Sequence, residues 1–205
     1  ITIGNSPPRV DSVTIDPFTP RTGDNLTAVA SGWFDQDGDP EYFEYEWEIN
    51  GEVDPDATTD VYPSSKTERD DNVRVTVTPI DGFEAGEPVS SALFTIANTA
   101  PTDDDGIVSI IPEDPEPNDS LSCNISDTAE DDDEEDVLTY TFTWYVDGIE
   151  RPEFTSTTPG LSATVPWGET ENGETWVCEV SASDGTESGP TISASVYISD
   201  GTTPD

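Results

Sequence analysis

Histidine and methionine are absent from these 205 residues, lysine occurs once (Lys66), and there are two cysteines. Without histidine the chain lacks the side chain best suited to general-base work near neutral pH, and no serine or cysteine stands in a partner set for nucleophilic attack. The sequence therefore argues against an enzyme. Basic residues number 6 against 46 acidic ones. That balance argues against nucleic acid as a partner, because phosphate contacts need a basic surface. No apolar run is long enough to cross a bilayer and no signal peptide is visible, so membrane insertion by this segment is not expected. The missing methionine is expected of a processed chain or of an internal segment.

A formal charge of −40 must act against a compact state at low ionic strength. High salt or bound divalent cations would relieve the repulsion, and the scarcity of lysine fits a chain built for saline water. The acidic residues divide 20 and 26 at Asn98, and the basic ones 5 and 1. Disorder is the bland outcome of such a composition. Five tryptophans, six tyrosines and Val/Ile/Thr runs at period two argue for a folded chain instead.

The sequence also repeats itself. Leu26, Asp35, Asp37, Asp39, Trp47 and Asn50-Gly51 recur as Leu121, Asp132, Glu134, Asp136, Trp144 and Asp147-Gly148. Val73-Arg74-Val75 with Asp81-Gly82 recurs as Trp176-Val177-Cys178 with Asp184-Gly185. Junction-like segments begin at Ile3, Ile96 and Ile198, each running to a proline. The reading is two units, 1–98 and 99–205, each large enough for one small core and cut from, or repeating within, something longer. Repetition of a whole domain serves length, spacing or valency.

Strand signals recur at short intervals between Pro, Gly, Asp and Asn, predicting an all-β chain. In the first unit strands are expected near Val10–Ile15, Leu26–Ala30, Phe43–Ile49, Thr58–Tyr62, Val73–Thr78 and Ala92–Ile96. In the second they are expected near Ile107–Ile111, Leu121–Ile125, Leu138–Val146, Leu161–Val165, Thr175–Ser181 and Ser193–Ile198. Asn50-Gly51 and Asp147-Gly148 suit tight turns with positive φ. Trp47, Trp144 and Trp176 read as core residues. Trp33 and Trp167 fall near loops, where partial burial is expected and an interface role is the alternative. Cys123 and Cys178 lie 55 residues apart with Trp144 between them, the spacing of an inter-sheet bridge in an immunoglobulin sandwich; two buried free thiols are the other reading. A bridge would imply an oxidising, extracytoplasmic setting. Ala28 and Val75 hold the matching positions of the first unit.

The Asn98-Thr99-Ala100-Pro101 segment, Leu121-Ser122-Cys123, the acidic loop after it, the run Tyr140 to Gly148, and Trp176-Val177-Cys178 through Asp184-Gly185 together resemble tandem immunoglobulin-like and PKD-like repeats. Such repeats occur in large secreted surface proteins of marine and halophilic microbes. The resemblance spans essentially the whole chain and implies two tandem immunoglobulin-like β-sandwiches in head-to-tail arrangement. It also implies a role in a stalk, sheath or filament on the cell surface. The first unit departs from it by lacking both cysteines.

Asp35-Gln36-Asp37-Gly38-Asp39 spaces three carboxylates at alternate positions with a glycine for a sharp turn, like the start of a calcium loop. It lacks the downstream glutamate of an EF-hand. In the second unit the loop Asp127–Asp136 carries eight acidic residues in ten, with Asp127, Asp132, Glu134 and Asp136 as candidate ligands. Topology of an immunoglobulin sandwich would bring Asp103, Asp105 and Asp184 toward the same end, so a Ca2+ ion there would stiffen the junction. The other reading is a solvated acidic loop of a salt-adapted surface. Asn25, Asn118 and Asn124 head N-glycosylation sequons.

The expected function is thus a non-catalytic structural repeat, extracellular or on the cell surface, whose partners are neighbouring copies of the same repeat in one chain or a homopolymer. The alternative is an adhesin or carbohydrate-binding accessory module. That reading would need a row of exposed aromatics, for which Tyr42, Phe43, Tyr45, Tyr140, Phe142 and Tyr145 are the candidates.

Overall fold

A computed structural model describes residues 4–102, 107–133 and 136–200. The chain is nearly all β and divides into two compact units after Thr99. Each unit is a sandwich of two antiparallel sheets.

The first unit contains β1 (Ser12–Asp16), β2 (Leu26–Ser31), β3 (Tyr42–Ile49), β4 (Glu52–Asp54), β5 (Val61–Tyr62), β6 (Asn72–Ile80), β7 (Val89–Ser90) and β8 (Phe94–Thr95). One sheet has the order β1-β2-β5; the other has β4-β3-β6-β7, with β8 also on β6. Strict alternation decides which face is wet. Val73, Val75 and Val77 on β6 are fully buried, while Arg74 and Thr76 turn outward, where Arg74 pairs with Glu48 directly across on β3. The core gathers Ile15, Leu26, Ala28, Trp47, Tyr62 and Ile96 around those valines. Trp47 is wholly enclosed and donates its indole N–H to the Thr59 carbonyl at 2.9 Å.

The second unit contains β9 (Val108–Ile111), β10 (Leu121–Ile125), β11 (Thr139–Val146), β12 (Ile149–Glu150), β13 (Ser156–Thr158), β14 (Ser162–Val165), β15 (Thr175–Ser183) and β16 (Ser188–Tyr197). Its sheets are β14-β10-β9 and β12-β11-β15-β16, with β13 also on β11. Cys123 on β10 and Cys178 on β15 form a disulfide that ties the two sheets together. Trp144 stands opposite Cys178 in register, and its ring meets Trp176 edge-on at 6.0 Å. Trp176 is also fully buried, lies beside Phe154 at 5.9 Å, and donates to Glu174 at 2.9 Å. In the first unit the matching Ala28 and Val75 are buried by packing alone.

The expected strands appear within a few residues of their predicted bounds, with three instructive differences. Both hairpins at Asn50-Gly51 (φ 52° and 86°) and Asp147-Gly148 (φ 48° and 80°) return into short strands, β4 and β12, that the sequence pattern did not announce. Positive φ at both turn residues matches the twist of the flanking strands, so the fourth strand stays beside the third. Each sandwich therefore divides three strands against five, unlike the ABED/CFG division of constant-type domains. Of the expected strand Ala92–Ile96 only Phe94–Thr95 (β8) forms, and β7 precedes it unannounced; between the two, Ser91 accepts the backbone N–H of Val75 on its hydroxyl at 3.2 Å. The corresponding β16 runs unbroken for ten residues.

Candidate metal centre

The acidic loops lie where the β2–β3 and β10–β11 connections meet the β6–β7 and β15–β16 turns. In the second unit, Asp131, Asp136 and Asp184 each bring a carboxylate oxygen within 4.8 Å of the others. Among the described residues this is the one group of three potential ligands that close.

Local hydrogen bonds build the site. The Asp131 carboxylate accepts from the Asp133 N–H at 2.8 Å, and the Asp136 N–H donates to the Asp133 carbonyl at 2.9 Å, which curls the loop back toward its start. Asp184 holds the β15–β16 turn by accepting from the N–H groups of Thr186 and Glu187 at 2.6 and 2.7 Å. The second Asp131 oxygen, Oδ2, is buried with no hydrogen-bond partner. Burial, reinforced by the neighbouring carboxylates of Asp133, Asp184 and Asp136, raises the Asp131 pKa above the ordinary range.

The first unit repeats the arrangement. Asp35 Oδ1 accepts from the backbone N–H groups of Asp37, Gly38 and Asp39 at 2.8, 2.7 and 3.1 Å, and its Oδ2 is likewise buried without a partner. Burial, then Asp35, Asp81 and Asp37, raise the pKa of Asp39. Asp81 occupies the place of Asp184, accepting from Phe83 and Glu84 N–H groups at 2.7 and 2.8 Å. Here the Asn5 amide also donates to Asp81 at 2.8 Å, and Asp37 receives the Ser6 N–H at 2.8 Å.

The candidate ligands thus sort by position. Asp136 and Asp184 converge, while Asp127 and Asp132 lie exposed outside the group. Asp103, Asp105 and Glu134 lie outside the described residues. Asp131 was not singled out by sequence. Aligning Asp132 with Asp35 by spacing misses that the Thr102–Glu130 bridge corresponds to the Arg9–Phe34 bridge, which puts Asp131 in the place of Asp35. Among eight acidic residues in ten only that pairing distinguishes it. Three carboxylates form a hard oxygen donor set, suited to Ca2+ or Mg2+ and unsuited to zinc.

The remaining candidates fall elsewhere. Asn25, Asn118 and Asn124 are at least partly exposed; Asn25 accepts from the Ser64 N–H at 2.9 Å and Asn124 donates to the Ser122 carbonyl at 2.9 Å. Among the aromatics, Tyr140 and Phe142 are core residues, Phe43 and Tyr45 are half-buried, and Tyr42 is exposed. Trp33 packs on Phe43, whereas Trp167, on the turn that follows β14, is 77% exposed rather than partly buried.

No protein-family model matches the sequence, and no curated protein matches it. Among solved structures, the chain is similar to the FN1–FN3 domains of chicken CNTN1 (TM-score 0.41, 11% identity, 94% of this chain and 65% of that one). It is also similar to the chicken interferon gamma receptor alpha chain (TM-score 0.48, 10% identity, 93% and 100%). A third similar structure is a two-domain fibronectin type III segment of chicken tenascin (TM-score 0.46, 9% identity, 92% and 98%). The chain spans less than two thirds of the CNTN1 segment.

Proposed function

We propose that this chain is a non-catalytic structural segment of an extracellular stalk, sheath or filament, in which calcium bound at the acidic loops stiffens each sandwich. The observation that carries the reading is the repetition of one acidic corner in both units, each with a buried carboxylate oxygen lacking a partner. Like charges held this close are costly unless a cation or strong salt offsets them. The proposed ligands are Asp131, Asp136 and Asp184, with Asp35, Asp39 and Asp81 as the first unit's counterpart. Asp103 and Asp105 of the linker are proposed as further ligands.

An extracellular, salt-rich setting is supported by the disulfide and by the acidic surface. Tandem sandwiches suit spacing, and the natural partners are further copies of the same repeat. Calcium melting curves at fixed ionic strength test the cation: stabilisation of about 1–4 kcal/mol is expected at millimolar calcium through mass action. Identical curves in calcium and chelator would leave only a salt-adapted surface. Solution scattering tests the stalk, for which an elongated particle is expected and a compact one is contrary. The adhesin or carbohydrate-binding reading is favoured by Trp167, an exposed indole on a turn. Loss of glycan binding in Trp167→Ala would support it.

A further inference from the structure

We propose that Asn118 carries an N-linked glycan whose first sugar lies against the exposed indole of Trp167. This modification takes from the reading above only its extracellular setting. It is independent of calcium, because Asn118 precedes β10 whereas the acidic loop follows that strand.

The first observation is which acceptor sequence the folded chain leaves available. Asn118-Asp119-Ser120 lies on the turn before β10, and a sequon glycan belongs on a surface turn. Asn118 is exposed with φ 71°, Ser120 is exposed, and neither side chain has a hydrogen-bond partner among the described residues. The other two sequons are engaged. Asn25 accepts the Ser64 N–H, and its Thr27 lies within a sheet, in register with Asp16 and Val61. Asn124 lies between Ser109 and Ser162 and donates to the Ser122 carbonyl, while the Ser126 hydroxyl accepts the Ile107 N–H at 3.2 Å.

The second observation is how Asn118 is held. The turn after β14 clasps its peptide groups: the Asn118 N–H donates to the Thr170 carbonyl at 2.9 Å, and the Gly168 N–H donates to the Asn118 carbonyl at 3.0 Å. The buried Thr170 adds a hydroxyl bond to the Asp119 carbonyl at 3.2 Å. The Asp119 carboxylate accepts the Glu116 N–H at 2.9 Å. Both backbone groups of Asn118 are thus satisfied, and the amide side chain is what it offers to solvent. Trp167 directly precedes Gly168, so standard bond lengths place its Cα at most about 8 Å from that of Asn118.

The third is the indole itself, 77% exposed on that clasping turn. A sugar joined to the asparagine amide begins about 5 Å from the Cα, which brings its ring within reach of a side chain as long as tryptophan. The C–H face of a pyranose can cover an indole face while its hydroxyls stay in water. Tethering makes the contact intramolecular, so a single indole can hold a sugar that it would not retain from solution. The exposed neighbours Glu116, Glu169 and Glu171 are acidic, and a neutral sugar adds no charge to them.

The covalent step is a group transfer without oxidation. Asn118 Nδ2 bonds to C1 of a sugar carried on a lipid-linked diphosphate, and the C1–O bond to that diphosphate breaks. The lipid diphosphate leaves with the electron pair, and the amide gives up one proton to solvent and stays neutral. The co-reactants are a membrane oligosaccharyltransferase and its lipid-linked donor, and the Ser120 hydroxyl completes the acceptor sequence that the enzyme reads.

The test is secretion of the 205-residue chain from a eukaryotic cell line, which supplies the transferase and an oxidising compartment. Peptide mass mapping after enzymatic glycan release in heavy-oxygen water then marks each occupied asparagine. The mark is expected at Asn118, lost in Ser120→Ala and increased in Ser120→Thr, variants that leave the turn's backbone bonds in place. Formation of the Cys123–Cys178 disulfide in the same product reports separately on the extracellular reading, so the two can fail independently. In the glycosylated protein the proton resonances of the first sugar should be shifted upfield by the indole ring current. That shift should vanish in Trp167→Ala at unchanged occupancy. An unmodified Asn118 in both the parent and Ser120→Thr overturns the proposal, as does occupancy of Asn25 or Asn124 in its place. Sugar resonances that Trp167→Ala does not move overturn it too.

Discussion

The carbonyl oxygen of Pro8 occupies the space into which any side chain on Gly86 would project, well inside van der Waals contact. Pro101 stands in the same relation to Gly189. Neither glycine has a positive φ, so the demand is purely steric: the entering segment of each unit lies against the β6–β7 connection at Gly86 or against β16 at Gly189. Gly86→Ala and Gly189→Ala should each lower stability by about 1–3 kcal/mol, the range for overpacking against atoms that cannot yield. Denaturant midpoints of the two variants check this, and unchanged midpoints would show that the segment is free to move away.

Reduction should act on one unit alone. Opening the Cys123–Cys178 link releases a 55-residue loop, worth about 4 kcal/mol in the chain-entropy account. Melting with and without reductant should therefore show a second-unit transition that shifts and a first-unit transition that does not. Fluorescence can assign them, because Trp47→Ala should selectively remove the first-unit transition at a cost of about 3–5 kcal/mol.

The acidic corners make a prediction of unusual sign. Asp131 and Asp39 have pKa values raised chiefly by burial, so the folded state favours their protonated forms. Their contribution to stability is present below the unfolded carboxylate pKa and is lost as pH rises through the higher folded value. In chelator at neutral pH, Asp131→Asn and Asp39→Asn should consequently melt no lower than the parent, and higher at low salt. The Asp131→Asn protein should also lose its response to calcium. A lower melting point for Asp131→Asn in chelator would mean that its negative charge helps to hold the loop.

Asp54 carries the opposite sign. A hydrogen bond from Lys66 at 2.6 Å, with further bonds from the Asp56 N–H and the Tyr62 hydroxyl, lowers its pKa. Its contribution is present above the unfolded pKa and disappears as pH falls through the folded one. Asp54→Asn should be less stable than the parent at neutral pH and converge with it in acid. Parallel stability curves across that range would count against the linkage.

Much of this was legible from residues alone, because alternation is a local property. The period-two runs placed nearly every strand, and Val73, Val75 and Val77 point inward as their spacing requires. The bridge was foreshadowed by 55 residues with Trp144 between two cysteines. Asn50-Gly51 announced its turn because an α-left pair is a matter of two residues' φ angles. Less legible were β4 and β12, three and two residues long, whose existence depends on a partner strand rather than on their own pattern.

The sequence by itself determined the class of fold, the two-unit repeat, the turns and the acidity, since each follows from composition or short-range order. Tertiary structure alone decided which of the many carboxylates meet. Asp131 joins Asp136 and Asp184 because a bridge between Thr102 and Glu130 sets the loop's register and the β15–β16 turn brings up a residue 48 positions beyond Asp136. Convergence and exposure are properties of distance in space, and identical acidic residues in a row carry no mark of which will be brought close.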